Sequence, residues 1–438
     1  MEATIAAFSQ NPSLKKAVSG ELTKLHEPGA YHISALFQGE HIAAPKWLWL
    51  IQLLSVSALA SLVLSVFIPK MLIALLLLFP INMGVHYWNK NNIYQYSASL
   101  PQLVIMYQIA RLMMARDGLS AGSDVRDSVH SIAGVIPQMS VFRIEARLQS
   151  EIGQLVEYLV ELIKALLLLE PVVLFATLRK LETRKRDIYT IFRFVGETDA
   201  ALSVLELRES LPHYSQMSGV SDGNGLRTKA LYHPLLFNGV SNDLVLNGRS
   251  ALLTGSNMSG KTTFIRTVGI SAILGQTLNT CFASEFAMPR MRVSSSIRIS
   301  DDLLDQKSYY MEEVLALKQL VEESGGGKPT LFLLDEVLKG TNSIERIAIS
   351  TAVLTYLAGN DNLVFVSTHD RELADLLSEN YEQYHFTEVI EDEEIVFDYK
   401  IKPGVLNTTN AIRILTINQF PAHITEEATR LSSKLALR

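Results

Sequence analysis

The chain has 438 residues, 48% of them hydrophobic, a single cysteine (Cys281) and a formal net charge of -6. Length implies two or three domains, and one thiol excludes an intrachain disulfide or a cysteine zinc cluster and suits a reducing compartment. The negative charge excludes the global positive field of a strong non-specific nucleic-acid binder and leaves only local basic patches.

Residues 1–45 read as a helical segment broken at Pro28-Gly29, and the start Met1-Glu-Ala-Thr-Ile lacks the charged-then-apolar order of a signal peptide. Trp47 to Ile68 and Met71 to Trp88 contain no Asp, Glu, Lys or Arg. As helices they run about 33 Å and about 27 Å, lengths that cross a bilayer. Pro69-Lys70 makes the turn, Trp47, Trp49, Tyr87 and Trp88 lie at the outer ends where interfacial aromatics belong, and Lys46 and Lys90 flank the pair. Residues 46–90 therefore read as a two-helix transmembrane hairpin with both ends on the same side of the membrane. The alternative is a pair of buried core helices, and Pro80 and Asn82 weaken the second run.

Residues 91–218 carry helical periodicity. Pro101–Arg111 is one apolar helix, and Val141–Leu169 is a long Leu-rich one, expected to break or kink at Glu170-Pro171. The stretch Leu159–Leu178 includes Glu161, Lys164 and Glu170, so it reads as a buried or amphipathic helix, not a span. Arg179–Arg186 is basic, and a solvated helix face is the better reading of it than a phosphate-binding strip.

Composition changes at the loop Ser218–Gly225, and residues 219–438 read as an α/β domain. Short β-rich runs, Ala251–Thr254, Thr330–Leu334 and Leu363–Ser367, alternate with helices, which implies a mostly parallel sheet with helices on both faces. After the first run, Gly255-Ser256-Asn257-Met258-Ser259-Gly260-Lys261-Thr262 has the spacing Gly, four residues, Gly-Lys-Ser/Thr, and Thr263 opens a helix. A loop between strand and helix converges backbone N–H groups on phosphate oxygens. Lys261 can reach the outer phosphates and Thr262 can offer its hydroxyl to Mg²⁺. Asp335 and Glu336 end the second run, at the carboxyl edge where doubly wound sheets bind ligands. There Asp335 can hold Mg²⁺ directly or through water, and Glu336 can deprotonate the attacking water. His369 ends the third run; it can face the γ-phosphate or the water, although a strand-end histidine is more often structural.

These motifs, in this order, resemble the DNA mismatch-repair MutS family. Thr254–Arg266 is similar to its phosphate loop, with the Asn257-Met258 pair particular to that family, and Leu334–Ser343 is similar to its Mg²⁺ and dimer-contact segment. Ser300–Glu313 resembles its signature segment, Tyr399–Gly404 its closing strand, and Phe420–Ala428 its C-terminal helical pair. The likeness covers about residues 195–438. It implies an ATP- and Mg²⁺-dependent ATPase of the α/β P-loop type (ABC/MutS type) preceded by an all-α lever-like domain. It further implies a homodimer, or a dimer with a paralogue, in which Ser308 reaches the γ-phosphate held by the partner subunit, and an adenine near Val240–Asp243.

Ser256 stands where the family usually has Pro, Ser259 where it has Gly, Thr262 where it has Ser, Lys339 where it has Arg, and Glu345 where Asp is common. No segment corresponds to the family's mismatch-reading domain with its Phe-x-Glu wedge, so mismatch specificity is not expected of this chain alone. The implied function is an ATP-dependent DNA-binding protein, mismatch-repair-like, in which hydrolysis drives dimer closure and opening, with its ATPase domain in the cytoplasm and residues 47–88 in the inner membrane. The alternative is a membrane-tethered dimerisation switch acting on a partner other than DNA. An ABC-type transport ATPase ranks last, because the Leu-Ser-Gly-Gly-Gln signature is missing and two spans alone build no translocation path.

Overall fold

Long apolar helical runs occupy the first half of the chain, and short strands alternating with helices occupy the second. The computed structural model describes all residues except 97, 117, 120, 140–153, 220–224, 257, 298–308, 339–341, 392–393, 407–410 and 436–438. It divides into two units, Met1–Leu207 and Arg208–Arg438.

The first unit is helical throughout its described residues. It opens with α1 (Glu2–Gln10) and α2 (Pro12–Leu22), the latter capped by Asn11, whose side chain accepts from the Leu14 amide at 3.1 Å. A 3₁₀ turn at Pro28–Ser34 precedes α3 (Ala35–Gln38). Then come α4 (Leu48–Ser65), α5 (Met71–Tyr96), α6 (Ser99–Met114) and α7 (Ser123–Ala133). They are followed by α8 (Gln154–Leu167), α9 (Leu169–Glu182) and α10 (Lys185–Ser210).

α5 runs unbroken through Pro80 and ends at Tyr96. One expectation needs correction. The long Leu-rich helix does not break at Glu170-Pro171; it breaks at Leu168, which takes the left-handed conformation at φ 48°. Pro171 instead lies in the first turn of α9, where its missing N–H has no helical acceptor to lose. The start of that helix, 141–153, lies outside the described residues.

The second unit begins with β1 (Leu226–Leu231) and β2 (Asn242–Leu246), which pair antiparallel. Next are β3 (Ser250–Thr254), α11 (Lys261–Leu278), β4 (Glu285–Ala287) and β5 (Arg292–Ser296). α12 (Tyr309–Ser324), β6 (Thr330–Asp335), α13 (Ser343–Leu357) and β7 (Leu363–Ser367) follow. The unit closes with α14 (Arg371–Leu376), β8 (Tyr381–His385), β9 (Glu388–Glu391), β10 (Glu394–Phe397), β11 (Lys402–Pro403), α15 (Ala411–Ile417) and α16 (Ala422–Leu435).

The main sheet has the order β11-β8-β3-β7-β6-β5, with only the β11–β8 pair antiparallel. β4 joins β1 and β2 in a separate antiparallel sheet. Strand alternation splits the core in two. Ala251, Leu253, Leu333 and Phe365 pack with Phe264, Ile265 and Val268 of α11. Leu252, Phe332, Leu334 and Val366 pack with Leu320, Leu354 and Leu357 of α12 and α13. Burial on both faces explains why these strands read as continuous apolar runs. The chain leaves β3 for the β5 edge, returns beside β3 at β7 and crosses to its other side at β8, so the carboxyl end of β3 is the topological switch point of the sheet.

Candidate functional site

The loop after β3 is shaped by close backbone approaches. Gly255 has φ 142°, and a Cβ there would stand 2.5 Å from the Phe386 carbonyl oxygen, so only glycine fits. Gly260, at φ 109°, forms the N-cap of α11 and leaves its first amides facing the loop. Lys261 folds back into that cradle. Its buried ammonium donates to the carbonyl oxygens of Gly255 at 2.8 Å and Ser256 at 2.7 Å. An ammonium removed from water needs such partners, and incoming phosphate oxygens are stronger ones. The Ser259 hydroxyl donates to the Ser256 carbonyl at 2.8 Å and tightens the turn. Met258 is exposed at φ 70°, and Thr263 lines the cavity described below. Asn257 lies outside the described residues.

Sheet register assembles the acidic side. Asp335 and Ser367 are partners across the β6–β7 pair, and the Ser367 hydroxyl donates to one Asp335 oxygen. The Thr262 hydroxyl donates to the other at 2.9 Å. One hydroxyl and one carboxylate on a common point are the hard oxygen donors that Mg²⁺ accepts while keeping waters and phosphate oxygens as its other ligands. Among the described residues no cluster of three or more His, Cys, Asp or Glu could hold a metal. Glu336 follows at φ 57°, its amide donating to the Ser367 carbonyl at 3.1 Å. Its carboxylate lies 2.8 Å from His369 Nε2. The structure thus brings Lys261, Thr262, Asp335, Glu336 and His369 to one edge. Ser308 and Lys339 lie outside the described residues.

A cavity of about 740 Å³ extends from this edge. Ser256, Gly260–Thr263 and Glu336 line one part; His233, Phe237, Val240, Asn242, Phe397 and Tyr399 also line it. Phe397 and Tyr399 stack at 5.8 Å. Asn242 holds the Tyr399 segment, donating to the Tyr399 carbonyl at 3.0 Å and accepting from the Ile401 amide at 2.8 Å. Val240 and Asn242 were anticipated near an adenine; the aromatic pair was not. Its signal was present, since Phe397-Asp-Tyr399 precedes the closing strand, but no sequence rule joins it to Val240. Three further residues escaped sequence reading: Ser367, Glu388, which accepts from the Ser256 hydroxyl at 2.5 Å, and Arg346. Arg346 clamps Asp370, the neighbour of His369, with two bonds of 2.9 and 2.7 Å.

A glycine-rich loop at the switch point of a mostly parallel sheet, with an aspartate and a glutamate at the end of the strand one place beyond β7, fits an α/β ATPase-type domain. Residues 251–436 match the family model "MutS domain V". Over this C-terminal part the chain is similar to the MutS family. It is 31% identical over 255 residues to the DNA mismatch repair protein MutS of Listeria monocytogenes serotype 4b, covering 55% of this chain and 29% of that protein. Against MutS of Thermus thermophilus it is 29% identical over 295 residues, covering 60% and 35%. Against MutS of Thermus caldophilus it is 32% identical over 224 residues, covering 49% and 27%. The match thus spans about a third of the length of these relatives.

Proposed function

We propose that the second unit binds and hydrolyses ATP with Mg²⁺, and that this cycle drives closure and opening of a dimer on DNA in the manner of the MutS family. The observation that carries it is the convergence of Thr262, Asp335 and Ser367 beside the Lys261 cradle. Gly255–Thr263 grip the triphosphate through amides and the Lys261 ammonium, which leaves its loop carbonyls to do so. Thr262 and Asp335 would hold Mg²⁺, which when bound neutralises charge on the phosphate oxygens. Glu336 takes the proton of the attacking water, and His369 at 2.8 Å holds that carboxylate in place. Phe397 and Tyr399 offer their ring faces to the base. Ser308, by family likeness, completes the partner subunit's site, so closure depends on ATP. Binding of a fluorescent ATP analogue to the parent chain and to Lys261→Ala tests the grip: the parent binds and the variant does not, and equal binding by both overturns the assignment.

A second reading places the same switch on a membrane, where it acts on a partner other than DNA, and a specific observation favours the tether. α4 and residues Met71–Lys90 have mean hydropathies of 2.0 and 1.6, yet only 17% of each is buried. A core helix is mostly buried; the exposure of Leu53 at 55%, Val56 at 64% and Leu76 at 73% supports a lipid-facing reading. The ATPase unit then faces the cytoplasm, where ATP is.

A further inference from the structure

The α4–α5 hairpin is only partly clothed. α8 and α9 pack against both of its helices. The Ser55 hydroxyl donates to the Leu167 carbonyl at 2.6 Å, and the Asn82 side-chain amide donates to the Leu166 carbonyl at 2.6 Å. The joint at Leu168 therefore sits level with Ser55 and Asn82. Beyond that level α4 continues about 15 Å to Ser65, and α5 starts about 16 Å away at Met71. This distal part is bare: Val56 is 64%, Ile73 62% and Leu77 66% exposed.

Toward the base the contacts follow the opposite order. His86 lies 3.4 Å from Glu161 on α8 and 3.5 Å from Glu170 on α9. Trp88 stacks on Phe175 of α9 at 6.4 Å and packs against Trp47 at 4.7 Å. So α8 descends from the His86 level to the Asn82 level, and α9 climbs back to the tryptophan level. The two form a shallow V whose point lies about 12 Å below the Trp47–Trp88 pair, within a hydrocarbon layer roughly 30 Å thick.

Two independent features suit the V to lipid. A helix break frees carbonyls that water satisfies on a soluble protein; here the Ser55 and Asn82 side chains seal them. The charges also pair. Lys164 meets Glu170 at 3.3 Å and Glu161 at 3.8 Å; the Lys164 and Glu170 side chains are 14% and 9% exposed, and that of Glu161, at the higher His86 level, is 31% exposed. The outward residues near the point are Leu162, Ile163 and Leu169, at 43%, 52% and 42% exposure.

We propose that α8 and α9 enter the near leaflet of a lipid bilayer as a re-entrant wedge beside the hairpin, which alone crosses. This rests on the membrane reading of the hairpin, and the test separates the two. The native Cys281 does not interfere with thiol labelling, because burial pushes its thiol up to about 12. The full chain, carrying Leu76→Cys, Ile163→Cys, Leu169→Cys or Tyr31→Cys, is labelled with an environment-sensitive fluorophore. It is then reconstituted into phosphatidylethanolamine–phosphatidylglycerol vesicles with a quencher placed near the headgroup or near the acyl-chain end. The wedge predicts that the probe at 163 loses emission to the shallow quencher, the probe at 169 to at least one of the two, the probe at 76 to the deep one, and the probe at 31 to neither. Quenching at 76 with none at 163 and 169 overturns the wedge and leaves the hairpin standing. Quenching at none of the four overturns both.

Discussion

In the proposed cycle nucleotide binding turns on Lys261. Its ammonium donates to two loop carbonyls, and each charge-assisted bond transferred from them to phosphate would carry about 1.5–3 kcal/mol. Lys261→Ala is expected to weaken ATP binding by roughly 100-fold or more, read by calorimetric titration; unchanged affinity would mean the loop holds something else. Glu388 acts in the other direction. It is 6% exposed and places a carboxylate against the phosphate loop through Ser256, so its charge opposes an arriving triphosphate. Glu388→Gln keeps a hydrogen-bonding side chain and removes the charge, and ATP should then bind several-fold more tightly. Weaker binding would instead make Glu388 a support for the loop. Lys261, Thr262, Asp335 and Glu336 were legible in the sequence because loop–helix and strand–acid spacings are local. Ser367 and Glu388 were not, because they meet Asp335 and Ser256 across 32 and 132 residues of chain, through strand register that no local pattern encodes.

Among elements, α13 and the loop after β7 are joined by the Arg346–Asp370 fork. Asp370 follows His369, so this fork positions the ring against Glu336 without touching a substrate. Hydrogen bonding to Asp370 holds the Arg346 guanidinium above its ordinary value, and the two planar bonds give a geometry that lysine does not copy. Arg346→Ala is expected to lower kcat about tenfold with little change in KM, and Arg346→Lys to recover only part of it. A change confined to KM would remove the fork from the account. In the first unit, Asn82→Leu leaves the Leu166 carbonyl buried without its side-chain donor, at a cost of about 1–3 kcal/mol, visible as a lower unfolding midpoint in detergent. An unshifted midpoint would show that the seal contributes nothing. The apolar runs of α4 and α5 were legible from hydropathy. The break at Leu168 was not, since proline marked position 171, and the left-handed residue is one that local propensity disfavours and tertiary contacts impose. Pro80 inside α5 shows the same override.

The chain carries a domain that matches MutS domain V and two long apolar helices, and these two parts carry separable predictions. Deleting Trp47–Trp88 should move the protein from alkali-washed membranes to the supernatant while ATP turnover persists; a deleted chain that stays with membranes would refute the tether. DNA binding, if it follows the family, should weaken steeply with salt and change with ATP in a mobility-shift series; no binding at low salt alongside intact turnover would favour the partner other than DNA. The ATP turnover read in both rests on the chemistry of one edge of the sheet. The most direct test is steady-state phosphate release by the full chain with ATP, with and without Mg²⁺, beside Glu336→Gln. The account predicts Mg²⁺-dependent release by the parent, and a variant that still binds ATP but turns over roughly 100-fold or more slowly. Release by Glu336→Gln at the parental rate, or release indifferent to Mg²⁺, would contradict it.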